Sequence, residues 1–296
     1  MTVLEALNRA TGYLRDHGID HSRLNGELLL ARSMRLSREG LYIRLHGKIE
    51  PEEMKTFEGL IQRRVSGEPL QYILGHQEFW SIDLKVDPRV FIPRPETELL
   101  VEESLSILIK ISSKKIPSVL ELGTGSGAIA VSLAREVRNI FLVASDLSGD
   151  ALIVARENAR QAGVSDKIRF VGGDLLNPFH PGKTFDLILS NPPYISGLEI
   201  GGLAREIKDH EPAIALNGGK DGLEFYRKLM SQAPSYLKKE GWLLLEVGSN
   251  QAGSVSEMIE AGGHFQKPER IKDLSGIARV IKAQKVDSGK WRVEKK

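Results

Sequence analysis

SVLELGTGSGAIAVSLARE, residues 118–136, decides the fold. The run SVLEL (118–122) reads as a buried strand. It passes directly into Gly123-Thr124-Gly125-Ser126-Gly127-Ala128, after which IAVSLARE reads as a helix. Glycines behind a strand let the backbone approach a ligand, and the helix that follows offers unpaired N–H groups and the positive end of its dipole. The spacing also satisfies the dinucleotide fingerprint G-x-G-x-x-G/A, and the loop has no lysine to grip a phosphate. By itself the loop indicates a nucleoside-containing cofactor without saying which one.

Downstream, the apolar runs IFLVASD (140–146), IRFVGGD (168–174), FDLILS (185–190) and WLLLEV (242–247) are separated mostly by helical stretches. That alternation predicts a parallel sheet covered by helices, an α/β Rossmann-like domain over residues 93–283. Upstream, residues 76–92 (HQEFWSIDLKVDPRVFI) predict a β-hairpin linker, with Phe79, Ile82, Leu84 and Val86 strand-like, a turn at Asp87-Pro88, and Val90-Phe91-Ile92 returning. Residues 1–75 read as a small helical-bundle domain. Leu4, Leu7 and Ala10, then Leu24, Leu28 and Leu29, then Met54, Phe57, Leu60 and Ile61 recur at helical spacing, and Pro51-Glu52-Glu53 marks a helix start. Residues 284–296 read as a frayed basic tail.

Of the 296 residues, 41% are apolar and 27% charged, the balance of an ordinary globular protein. No window approaches ~18 uncharged apolar residues, and Glu5 stands where an export signal carries basic groups. The absence of cysteine excludes disulfides and thiolate chemistry, so a cytoplasmic protein without membrane contact is expected. The formal charge of +2 is concentrated in the tail, where five basic residues oppose two acids. The rest is close to neutral, which argues against a stable nucleic-acid complex. His17 and His21 stand four apart with Gly18 between them and no third ligand nearby, so no metal site is expected.

Three polar positions follow the strand ends. Asp146 ends the second run, where a carboxylate can hold the hydroxyls of a ribose. Asp174 ends the third and could reach an adenine amino group, with Leu175 covering the ring, although the same aspartate could simply cap a turn. The fourth run ends in Asn191-Pro192-Pro193-Tyr194, and this decides the chemistry. Two prolines cannot supply ladder N–H groups, so the strand stops and the loop stiffens. The Asn191 side-chain carbonyl and the Pro192 main-chain carbonyl then form two rigid acceptors. They suit an NH2 group on an sp2 carbon, a poor nucleophile that must be oriented and supported as positive charge develops. Tyr194 can stack on the flat group. Hydride transfer has no use for such a loop, so the cofactor expected is S-adenosylmethionine. Adenine, cytosine and carboxamide nitrogens all remain open on this reading.

Several segments together resemble the release-factor glutamine methyltransferases (the HemK/PrmC family): SGEPLQYILG (66–75), FIPRPETE (91–98), ELGTGSGAIA (121–130), NPPYI (191–195), the stretch from HEPAIAL to GGKDGL (210–223), LLLEVGSNQ (243–251) and DLSGIARV (273–280). The resemblance implies a seven-stranded class I methyltransferase sheet with one reversed strand near its end. It also implies a substrate, the glutamine of the Gly-Gly-Gln motif in peptide-chain release factors, docked by the helical domain. Gly123, Thr124, Gly125, Gly127, Asp146 and Asn191 would then hold the cofactor, with Leu175 near its adenine. Asn191, Pro192, Pro193 and Tyr194 would receive the glutamine, and Arg94, Pro95 and Thr97 would line the pocket's edge. The alternative is an amino methyltransferase acting on adenine in rRNA or DNA, which should carry an added basic, aromatic reading element that the front of this chain lacks.

Overall fold

The computed structural model describes residues 1–182 and 184–286, and the remainder of the basic tail lies outside the described residues. The chain divides into two compact units, one of residues 1–76 with 204–210, the other of 77–203 with 211 onward.

The first unit is built from α1 (Val3–Asp16), α2 (Ser22–Ser33), α3 (Arg38–Ile43), α4 (Pro51–Val65) and α5 (Leu70–Leu74). Helix α1 starts in a capping box, with the Thr2 hydroxyl accepting from the Glu5 N–H and the Glu5 carboxylate accepting from the Thr2 N–H. Val3, Leu7, Leu14, Leu29, Leu30, Leu41 and Phe57 fill the core. Leu24, expected on the apolar stripe of α2, is instead exposed, while Leu30 and Ala31 are buried. The reason is position: α2 packs against α1, α4, α3 and α5, so it buries more than one face. Gly26 belongs to this packing, since a Cβ there would lie 3.1 Å from Leu7 Cδ1. The neighbouring Asn25 is buried and accepts from Arg64 Nε at 2.8 Å.

The second unit opens with a hairpin, β1 (His76–Phe79) and β2 (Ile82–Lys85). The turn expected at Asp87-Pro88 is present, closed by the Val90 N–H on the Asp87 carbonyl at 3.0 Å, but the hairpin itself reverses earlier, at Trp80-Ser81, both left-handed at φ +52° and +53°. That is the two-residue turn matching strand twist, formed here without the Asn-Gly that usually announces it. Trp80 is held there by its N–H on Glu98 Oε1 (2.8 Å) and its ring N–H on Glu136 (3.1 Å). Val90–Ile92 does not return as a strand, and the Ile92 N–H donates instead to the buried Glu211 carboxylate.

Helix α6 (Glu98–Ser112) leads into the main sheet and its helices: β3 (Ser118–Leu122), α7 (Ala128–Glu136), β4 (Phe141–Asp146), α8 (Gly149–Gln161), β5 (Ile168–Gly172), β6 (Phe185–Ser190), then, after α9 (Arg205–Lys208) of the first unit, α10 (Ala213–Leu216), α11 (Glu224–Tyr236), β7 (Leu237–Glu246), α12 (Ala252–Gly262), β8 (Glu269–Lys272) and β9 (Ala278–Gln284). Seven strands lie in the order β5-β4-β3-β6-β7-β9-β8, with β9 antiparallel to both neighbours and the other pairs parallel. Alternate residues separate the two faces. Val119, Leu142, Leu187 and Leu244 pack toward α6 and α7; Leu120, Val143, Ile188 and Leu243 pack toward α11 and α12. Residues 284–286, expected to be frayed, are held instead: Gln284 ends β9, Lys285 donates to the Leu237 carbonyl and the Val286 N–H to the His264 carbonyl.

Asp186, at the entry of β6, ties this sheet together. Lys115 Nζ meets it at 2.6 Å, Lys238 Nζ at 2.9 Å and the Ser118 N–H at 2.9 Å. Burial alone would raise its pKa, but Lys115, Ser118 and Lys238 outweigh burial and hold it at about 2. A lowered folded pKa contributes stability that is complete above the unfolded value near ~4 and vanishes as pH falls through about 2. Asp186→Asn is therefore expected to lose about 2 kcal/mol in urea unfolding at pH 7. The gap to wild type should narrow steadily between about pH 5 and pH 2; a gap independent of pH refutes the assignment.

Candidate active site

The strand order reverses between β3 and β6, and a ligand crevice opens at the carboxyl ends of strands flanking such a point. Leu122 pairs with Ser190, so the glycine loop and the Asn191–Tyr194 loop leave the sheet side by side. A Cβ built on Gly123 would have the Asn191 carbonyl oxygen 4.0 Å away.

Gly123, Gly125 and Gly127 have φ of +72°, +55° and +81°, a region that L side chains rarely occupy. Gly127 begins α7 so close to α8 that a Cβ would lie 3.0 Å from Ala155 Cβ, whereas above Gly125 there is open space. The Gly123 and Thr124 N–H groups donate to the Ser145 carbonyl, and the Gly125 N–H donates to Asp146 Oδ2 at 2.8 Å. The other Asp146 oxygen accepts the Ser148 N–H at 2.8 Å. Burial raises the Asp146 pKa, opposed by hydrogen bonds from Gly125, Ser148 and Leu147. The β5 exit comes alongside, with the Gly173 N–H on the Asp146 carbonyl at 2.9 Å. Asp174 is exposed, and Leu175 follows it at φ +49°. Glu121 lies fully buried beneath the loop, with Oε2 accepting from the Thr124 hydroxyl at 2.9 Å and Oε1 without a partner among the described residues. Desolvation pushes its pKa up to about 8 against the Thr124 hydrogen bond, with Asp146 adding to the rise.

This donor set fits a nucleoside-bearing cofactor: a close backbone approach at three glycines, space over Gly125, an anchored carboxylate at Asp146, and that buried Oε1 at Glu121. Among the described residues there is no group of His, Cys, Asp and Glu that could hold a metal ion.

The Asn191 amide donates to Thr97 Oγ1 at 3.2 Å, and among the described residues nothing donates to Asn191 Oδ1 or to the Pro192 carbonyl. The loop is clamped from outside. The Gln251 amide donates to the Tyr194 carbonyl at 2.8 Å and the Ile195 N–H to the Leu216 carbonyl at 3.0 Å. A Cβ on Gly222 would collide with the Tyr194 carbonyl at 2.4 Å, and one on Gly218 with the Pro193 carbonyl at 2.7 Å. The Tyr194 hydroxyl is pushed up to about 12, by burial first and by Glu246 second, so it stays protonated at neutral pH.

Thr97, expected at the pocket's edge, lies deeper, 3% exposed and against Asn191. Pro95 is exposed in the short 3-10 turn Pro95–Thr97. Arg94 turns to an ion pair with buried Glu211, its guanidinium 4.5 Å from the Phe91 ring centre. Glu121, Glu211, Glu246 and Gln251 carry much of this geometry without having been singled out. A glutamate inside an otherwise apolar strand, as in SVLEL and WLLLEV, is the signal that points to two of them.

A family model described as the PrmC N-terminal domain matches residues 5–75, and one described as the methyltransferase small domain matches residues 100–220. A release factor glutamine methyltransferase of Geobacter sulfurreducens is 40% identical over 280 residues, 95% of either chain. That of Moorella thermoacetica is 39% identical over 283 residues, 96% of this chain and 98% of its own. This chain belongs to the release factor glutamine methyltransferase family. A solved methyltransferase from Pyrococcus furiosus shares the fold alone, at a TM-score of 0.50 and 20% identity over 70% of this chain and 90% of that one. The family's front and catalytic models thus fall on the helical unit and on the sheet that carries the glycine loop and the Asn191 loop.

Proposed function

We propose that this chain transfers a methyl group from S-adenosylmethionine to the side-chain amide nitrogen of the glutamine in the Gly-Gly-Gln motif of peptide-chain release factors, in the cytoplasm. The observation that carries the reading is the pair of unclaimed acceptors, Asn191 Oδ1 and the Pro192 carbonyl, in a clamped loop beside a glycine loop fit for the cofactor.

When bound, S-adenosylmethionine supplies a methyl group activated on its sulfonium. Gly123, Thr124, Gly125, Gly127, Asp146, Asp174 and Leu175 would hold it, with Asn191 closing its reacting end. Asn191 Oδ1 and the Pro192 carbonyl accept the two N–H bonds of the glutamine amide, which fixes the lone pair toward the methyl donor and disperses charge growing on nitrogen. The Tyr194 ring and Pro193 flank the flat group. No strong base is needed, since an amide nitrogen becomes acidic only as it is alkylated; the Tyr194 hydroxyl, with its raised pKa, is not one. The helical unit, residues 1–75, docks the release factor, with Arg94, Pro95 and Thr97 on the glutamine's path. Among the described residues no helix is long and apolar enough to cross a membrane, and we expect neither a membrane nor a nucleic acid as a stable partner.

The test is methyl transfer to a purified release factor, read by fragment mass spectrometry. A single added methyl on the Gly-Gly-Gln glutamine, lost when that glutamine is replaced by alanine, is expected. Incorporation into ribosomal RNA or DNA with none into the factor overturns the substrate and favours the adenine amino group.

A further inference from the structure

A carboxamide has two ends of nearly equal shape, and only its hydrogen bonds decide which faces a ligand. To receive an NH2 group, Asn191 must present Oδ1 and keep its own NH2 turned toward the protein. Thr97 does not enforce this alone, because a hydroxyl that accepts from the Asn191 amide can equally rotate and donate to it.

The strand register supplies the missing group. Ser190 pairs with Leu245, which brings the next residues, Asn191 and Glu246, side by side at the ends of β6 and β7. Glu246 is 2% exposed, its Oε2 has no partner among the described residues, and Thr97 and Asn191, themselves joined by the Asn191 amide, both act to hold its carboxyl pKa down. We infer that Glu246 is a positioning residue: its carboxylate, an obligate acceptor, locks Asn191 with NH2 inward and Oδ1 toward the acceptor nitrogen. The inference rests on the proposed role of Asn191.

The lock depends on charge. Desolvation pushes Glu246 up to about 7, with Glu96 on the turn before α6 adding to the rise, while Thr97, Asn191 and Arg279 on β9 oppose it. The Tyr226 hydroxyl donates to the Glu246 main-chain carbonyl at 2.8 Å, the Tyr194 hydroxyl feels the Glu246 charge, and both hydroxyls stay protonated near neutrality. Once protonated, Glu246 offers a donor of its own and the lock loosens.

Three proteins test this: wild type, Glu246→Gln, and Glu246→Asp as the conservative rescue. Gln can donate as well as accept, so its kcat is expected to fall about 100-fold, the cost of a misplaced reacting group, with KM and cofactor affinity within about threefold of wild type. Wild-type kcat should rise between about pH 6 and pH 8, Gln should abolish that rise, and Asp should recover both part of kcat and the pH dependence. A Glu246→Gln enzyme with wild-type kcat, or with the pH dependence intact, overturns the inference. So does loss of activity in both variants that tracks a lowered melting temperature while the remaining folded enzyme keeps its pH profile. If Asn191→Ala itself retains wild-type kcat, it is the acceptor reading that fails; an inactive Asn191→Ala beside an unaffected Glu246→Gln refutes the positioning role alone.

Discussion

Asn191→Ala is expected to lower kcat for glutamine methylation roughly 10³-fold, about 4 kcal/mol of transition-state stabilisation, with little change in cofactor affinity. The side chain removed is one of two acceptors that orient the reacting nitrogen, and its role grows as charge develops there, so the loss falls on kcat rather than KM. What Asn191 offers the glycine loop is its main-chain carbonyl, which alanine retains. Truncation also leaves Thr97 Oγ1 without the amide that donates to it, and a water entering the space would compete for the substrate's N–H groups. Stopped-time methylation of the release factor at saturating cofactor, with calorimetric titration of S-adenosylhomocysteine alongside, checks both halves. A variant within tenfold of wild-type kcat would remove Asn191 from the chemistry.

The parts of this site that lie within one segment were legible in the sequence. SVLEL joined to three glycines, and FDLILS joined to Asn191-Pro192-Pro193-Tyr194, each carry strand, break and ligand-facing atoms in one short stretch. The pairing of Leu122 with Ser190 then brings the two stretches together without any further signal. What eluded the reading depends on distance along the chain. Thr97 meets Asn191 from 94 residues away, and Glu211 holds Ile92 and Arg94 from over a hundred. Strand β8 (Glu269–Lys272) is an edge strand with three charged residues in four, so no apolar run marks it. The hairpin turn was misplaced because Trp80 and Ser81 adopt a left-handed geometry that their residue types disfavour, supported by Glu98 and Glu136 from other elements.

Asp146→Asn is expected to weaken cofactor binding at least ~100-fold, nearly as much as Asp146→Ala, although asparagine has the same size and shape as aspartate. Each carboxylate oxygen already accepts a main-chain N–H, Oδ2 from Gly125 in the glycine loop and Oδ1 from Ser148 at the start of α8. Asparagine can satisfy only one of them and must point its NH2 at the other, two donors face to face in a half-buried site. Whichever N–H is abandoned, the damage reaches the cofactor: a freed Gly125 lets the loop move over the crevice, and a freed Ser148 loosens the β4 exit that the Gly173 N–H also leans on. Were the carboxylate needed only for direct contacts with a ribose, asparagine would keep an acceptor and a donor for the hydroxyls and lose far less. Calorimetric titration of S-adenosylhomocysteine into wild type, Asp146→Asn and Asp146→Ala separates the two accounts. Matching losses in the two variants mark Asp146 as the tie that holds the loop in its binding shape; near-wild-type affinity in Asp146→Asn would leave that tie dispensable.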